Sequence, residues 1–278
     1  MDTSIQALVM GLVQGLTEFI PVSSSGHLVL VPWFLGWDDP FIDSLAFSVI
    51  LHLGTLLALL LYFWRDWLRI IPAGLASIRD RSIDGDEDRK LAWLIALGTV
   101  PALAAGVLLS DEFEALVREA PRVALMLCVG AAILWLAERW GSRDRDMRAL
   151  TFPGALFVGV AQAVALIPGI SRSGVSISAG MFLGLTRESA ARFSFLLATP
   201  AVAAAGLWEG RKILAGESGV SPDAQVVVIG FVSSFLAGLV AIRFMLEFLR
   251  RQPNTLFIVY RVLLAIAVFA VLLTPHGA

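Results

Sequence analysis

The sequence predicts an all-α integral membrane protein: six transmembrane helices plus two re-entrant helical hairpins, arranged as an inverted repeat. Three observations carry this. Of 278 residues, 58% are hydrophobic and only 16% charged, whereas a soluble domain is roughly 45–50% apolar. A pattern of Gly, Gln, Ile-Pro and a serine-rich turn occurs twice, as GLVQGLTEFIPVSSSG (Gly11 to Gly26) and GVAQAVALIPGISRSG (Gly159 to Gly174). Basic residues also crowd onto alternate linkers between the apolar stretches.

The first apolar stretch, residues 4 to 36, is too long for one crossing at about 1.5 Å per residue and too short for two. It is therefore expected to enter and leave on the same side. No Lys or Arg precedes Arg65, so a cleaved signal peptide is not expected. Single spans follow at residues 42 to 64, 91 to 109 and 121 to 137, with RDRSIDGDEDRK (79 to 90) read as a solvated loop. Cys128, the only cysteine, lies in an apolar span and is expected to pack there. Residues 150 to 184 repeat the hairpin, and spans at 190 to 208, 224 to 246 and 255 to 274 complete the chain. Trp33, Trp37, Trp64 and Trp67 fall at span ends as interfacial anchors, and Thr186 is placed to cap a helix.

One set of linkers (65 to 90, 138 to 149, 185 to 192, 243 to 254) holds fifteen Lys and Arg, and the opposite set only Arg118, Arg122, Arg211 and Lys212. The positive-inside rule makes the rich set cytoplasmic and puts both termini outside. The first hairpin then enters from outside and the second from the cytoplasm, each followed by three spans. The single membrane domain, 1 to 278, divides into inverted halves of about 1–145 and 146–278. Such repeats bring their broken helices together near the midplane.

Gln14 and Glu18 lie four positions apart before Pro21, so on a helix they share a face. A carboxylate in hydrocarbon costs at least a few kcal/mol. Ser23, Ser24 and Ser25 follow where a second helix begins; one hydroxyl is expected to cap it, and its amides form a cradle for phosphate. His27 falls on the helical face of Ser24. In the second copy Arg172 sits between Ser171 and Ser173, and its planar fork suits phosphate oxygens, with a structural ion pair to Glu18 as the simpler reading. Gly169 and Gly174 allow close backbone approach. His52 and Arg261 also lie within spans but have no companion motif. A carboxylate, an amide, an imidazole, a guanidinium and a ring of hydroxyls match a lipid diphosphate whose tail stays in the bilayer.

These residues resemble the bacterial undecaprenyl-diphosphate phosphatase family, also called bacitracin-resistance proteins. QGLTEFIPVSSSGH matches its Glu/Gln-x-x-x-Glu element and P-V-S-S-[ST]-G-H turn, and PGISRSG its P-G-x-S-R-S-G element. The resemblance runs along the whole chain. It implies a hydrolase that removes the terminal phosphate of undecaprenyl diphosphate, recycling the carrier lipid for peptidoglycan synthesis and conferring bacitracin resistance. It further implies a bacterial cytoplasmic (inner) membrane location, an active site toward the outer (periplasmic) face and a divalent cation, Mg²⁺ or Ca²⁺.

Carried over by position, the functional residues are Glu18, Ser24, His27 and Arg172 for catalysis. Gln14, Ser23, Ser25, Gly26, Ser171, Ser173 and Gly174 are expected to bind substrate, with Glu18 as the metal ligand. Ser24 is the first choice of nucleophile with His27 as base or orienter; phosphohistidine at His27 and direct attack by water stay open. Expected partners are a polyprenyl diphosphate lipid and the bilayer, with a homodimer left open and no nucleic acid. Two other classes compete. A transporter shares the repeat architecture. The type 2 phosphatidic acid phosphatase superfamily has similar P-S-G-H and S-R elements, but the stretch after Arg172 lacks its His and Asp.

Overall fold

A computed structural model describes residues 2–117, 119–214 and 223–274. Arg118, one of the four basic residues of the sparse side, lies outside the described residues. Apart from a short 3-10 turn at Met147–Ala149, the regular elements there are α-helices. Six are long and apolar enough to cross a membrane: α3 (Leu45–Tyr62), α5 (Glu87–Val117), α6 (Ala120–Trp140), α9 (Arg187–Leu214), α10 (Ala224–Arg251) and α11 (Thr255–Leu272). The protein is a multi-pass membrane protein. The remaining helices are two broken pairs and one unexpected helix.

The first pair is α1 (Thr3–Phe19) and α2 (Ser24–Leu35), the second α7 (Phe152–Val164) and α8 (Arg172–Phe182). At about 1.5 Å per residue every arm is shorter than the roughly 30 Å hydrocarbon core. Gly11 of α1 lies against Gly230 and Ser233 of α10, and Gly159 of α7 against the Gly98 carbonyl of α5. A methyl group at either glycine would overlap facing backbone, so both contacts depend on small residues.

The unexpected helix is α4 (Trp64–Asp80), in a stretch read from sequence as linker. The loop expected at 79 to 90 is correspondingly shorter, because α5 begins at Glu87. Apolar residues in α4 alternate with arginines and aspartates, so its average composition resembles a loop although its apolar residues recur at helical spacing.

Between the two broken pairs lies Arg261 of α11, fully buried. Its Nη1 donates to the Pro21 carbonyl (3.3 Å), Nη2 to the Gly169 and Ile170 carbonyls (2.8 Å each), and Nε to the Leu127 carbonyl of α6 (3.1 Å). One guanidinium therefore ties the first turn, the second turn and α6 together. Gly130 makes the space: a Cβ there would overlap the guanidinium. Leaving these carbonyls without donors costs about 1–3 kcal/mol each.

Arg261→Met is therefore expected to lower the melting temperature of the detergent-solubilised protein by roughly 5 °C or more. Gly130→Ala, which keeps the arginine but crowds it, is expected to lower it in the same direction. Unchanged melting in both variants would show that the tie contributes nothing.

Candidate active site

Both turns are built alike. Ser23 and Ser171 cap α2 and α8 with positive φ, 76° and 78°, where a side chain is strained. Each hydroxyl accepts from the amide three residues on, Gly26 (3.3 Å) and Gly174 (3.1 Å). Each also pairs with the hydroxyl two residues on, Ser25 and Ser173, at 3.3 Å. The Ser173 hydroxyl then donates across to the Ile20 carbonyl (3.3 Å), joining the second turn to the first. Gly174 leaves room for Arg261, whose Nη1 would lie 3.0 Å from a Cβ there. The expected capping and the expected meeting of the turns are both present.

Glu18 is the centre of the site. Its Oε1 forms an ion pair with Arg172 Nη2, from the first residue of α8. Its Oε2 accepts from Ser24 Oγ (2.5 Å) and from Gln14 Nε2 (3.0 Å), one helical turn away. Both carboxylate oxygens are thus satisfied inside an apolar bundle, which is what a buried charge requires. The Glu18 side chain is only 6% exposed and that of Arg172 23%, so the guanidinium forms the accessible side of the pair. Gln14 Oε1 is buried and accepts from no described residue.

The histidine facing Glu18 is His52, not the expected His27. His27 does not sit on Glu18: its Nδ1 donates to the Ser23 carbonyl (2.7 Å) and its Nε2 pairs with the Tyr260 hydroxyl (2.7 Å), the two rings stacked at 5.6 Å. His52 of α3 does face Glu18, with Nε2 3.7 Å from Oε2. Its Nδ1 lies 2.8 Å from the Ser48 carbonyl, which only accepts, so the proton is on that nitrogen and Nε2 is turned to the site. Sequence reasoning rated His52 low because no motif surrounds it; only the fold of α3 against α1 supplies its partner.

Among the described residues no three His, Cys, Asp or Glu converge as a ready metal cage. One carboxylate beside an unsatisfied amide oxygen does suit a hard cation that arrives with substrate phosphates, since Mg²⁺ is commonly held by one or two carboxylates plus phosphate oxygens. Beside the site, an apolar cavity of about 520 Å³ opens between α2 and α3, with Ser25, Trp33, Trp37, Ser48 and Pro168 among its walls. A carboxylate on a serine hydroxyl, a partly exposed arginine and free amides at two helix starts can activate a nucleophile and bind phosphate in one place.

The sequence matches the family described as bacitracin resistance protein BacA over residues 7–267. It is similar to the undecaprenyl-diphosphatase of Thermomicrobium roseum, 44% identical over 96% of this chain and 97% of the relative. The undecaprenyl-diphosphatase of Marinobacter nauticus is 44% identical over 96% and 98%, and that of Desulforudis audaxviator 41% identical over 96% and 97%. With a family match along nearly its whole length and relatives well above 30% identity, this chain belongs to the bacitracin resistance protein BacA family.

Proposed function

We propose that this chain is an enzyme that hydrolyses undecaprenyl diphosphate to undecaprenyl phosphate and inorganic phosphate. Recycling the carrier lipid in this way serves peptidoglycan synthesis and underlies bacitracin resistance. The observation that carries the reading is the hydrogen bond of the Ser24 hydroxyl to Glu18, on the carboxylate that Arg172 also holds. The names of the relatives supply the substrate.

In the mechanism, the diphosphate draws Arg172 from Glu18, and the guanidinium fork and the turn amides neutralise the phosphoryl oxygens. The freed carboxylate takes the Ser24 proton as Oγ attacks the terminal phosphorus. The bond to the bridging oxygen breaks, and undecaprenyl phosphate leaves as an anion needing little acid assistance. Glu18 passes the Ser24 proton to the departing undecaprenyl phosphate, and the carboxylate so restored takes a proton from water as it cleaves phosphoserine and returns it to Ser24 Oγ as inorganic phosphate leaves. Glu18 and the buried Gln14 Oε1 would hold a divalent cation, Mg²⁺ or Ca²⁺, which would supply charge neutralisation on the phosphate oxygens. His52 completes the shell of Glu18, while His27 is tied to Tyr260 and fixes the start of α2.

The same reading places the protein in the bacterial cytoplasmic membrane with the arginine-rich linkers inside and the site toward the outer face. The broken pairs are re-entrant hairpins, and the halves near 1–145 and 146–278 are inverted repeats. Supporting this, α1 packs on α10 as α7 packs on α5, the pairing that exchanging the halves would produce. The cavity beside Ser25 accommodates the first isoprene units.

Phosphate release by purified protein in detergent tests the reading. Glu18→Gln is expected to cost about 10²–10⁴-fold in kcat and Arg172→Lys about 10²–10³-fold, with folding retained. Full phosphate release by either would remove the reading, and lipid binding without release by the unaltered protein would make it a carrier. His52→Phe is expected to cost about tenfold or more, through kcat rather than KM; an unchanged kcat would separate His52 from the site. Chelator is expected to abolish release and added Mg²⁺ or Ca²⁺ to restore it, whereas undiminished release in chelator would exclude the cation.

A further inference from the structure

The helix α4 (Trp64–Asp80) is not among the spans, and its contacts define how it lies. A helix folded back antiparallel along α5 from the loop at 81–86 would carry its own first turns beside residues well inside that span. Instead Asp66 pairs with Arg192 (2.7 Å), in the second turn of α9, and Arg69 reaches Asp88 (4.0 Å) in the first turn of α5. Toward the other end Gly74 meets Ala92, Trp93 Nε1 donates to Ser77 Oγ (2.8 Å), and Arg89 bonds Asp80 (2.7 Å). Positions 69 to 80 rise about 17 Å along α4, yet their partners on α5 occupy residues 88 to 93, about 8 Å of rise. The helix crosses the ends of two spans rather than running beside them.

Its surface divides into three. Ile70 and Ser77 are buried against the bundle. Trp64, Leu68, Ile71, Leu75 and Ile78 recur at spacings of three and four and are exposed, Leu68 by 65% and Leu75 by 63%. Arg65, Arg69 and Arg79 line the opposite flank of that apolar stripe. A stripe of large apolar side chains bordered by arginines, on a helix lying across span ends, is the form of an in-plane interfacial helix.

We propose that α4 lies in the headgroup region of the leaflet on the arginine-rich side, its stripe sunk to the acyl boundary and its arginines on anionic headgroups. The stripe is then covered by lipid, not by a second copy of this chain. The placement is independent of the chemistry at Glu18 and holds whether or not the chain is a phosphatase. Asp66, which accepts from Arg69 of α4 itself (2.9 Å) and from Arg192, fastens the leaflet-bound helix to the start of α9.

Nitroxide labels on the full chain test this. Ile71→Cys, Leu75→Cys and, as a loop control, Asp84→Cys are made with Cys128→Ser and placed singly in nanodiscs of phosphatidylcholine and phosphatidylglycerol, using samples that retain the thermal melting of the unlabelled protein. Labels at 71 and 75 are expected to be relaxed more by oxygen than by a water-soluble nickel chelate, with the ratio reversed at 84. Nickel accessibility at 71 and 75 equal to that at 84 would put the stripe in water and overturn the proposal. Spin–spin broadening between copies, with oxygen access lost, would assign the stripe to a dimer and overturn it equally. If one labelled variant fails to fold, Leu68→Cys on the same stripe gives the same reading.

Discussion

The structure depends on one buried cation. Arg261 has no carboxylate partner among the described residues; its charge is met by four backbone carbonyls, three of them in the two turns that interrupt the broken helices. The three turn carbonyls are free acceptors because Pro21 and the 165–171 connection break the helical ladder. Interrupting a helix inside hydrocarbon is costly unless the freed groups find partners. The arginine supplies them and, because it is one rigid fork, fixes the distance between the turns. Ser173 adds a second link to the Ile20 carbonyl.

From that constraint the site follows. With the turns held together, Arg172 at the start of α8 meets Glu18 near the end of α1, and Ser24 at the start of α2 meets the other carboxylate oxygen. The guanidinium neutralises the carboxylate across the two turns. A diphosphate competes for the guanidinium with more charge than a single carboxylate offers. In the proposed mechanism the competition that releases Glu18 is the event that makes it a base, coupling nucleophile activation to the arrival of substrate.

Much of this was legible in the sequence. Composition gave the membrane, the doubled 16-residue pattern gave the two broken helices, and its polar residues gave Glu18, Ser24, Gln14 and Arg172 as neighbours. These signals are local or repeated, so no tertiary knowledge was needed. Four features were hidden. The helix α4 was masked by charges that average against its apolar stripe. His52 and Arg261 stand alone in apolar spans, and only the packing of α3 on α1, and of α11 on both turns, shows their partners. His27 was read toward Glu18 because it follows Ser24 by three residues, but the turn of α2 aims it at Tyr260, a residue 233 positions away.

The central claim is that the hydroxyl resting on Glu18 attacks the terminal phosphorus. Rapid quenching of the enzyme with substrate labelled in the terminal phosphate, followed by peptide mapping, tests it most directly. The account predicts transient label on Ser24. Label on His27, or phosphate that takes its new oxygen from water with no labelled protein at any time, would contradict it.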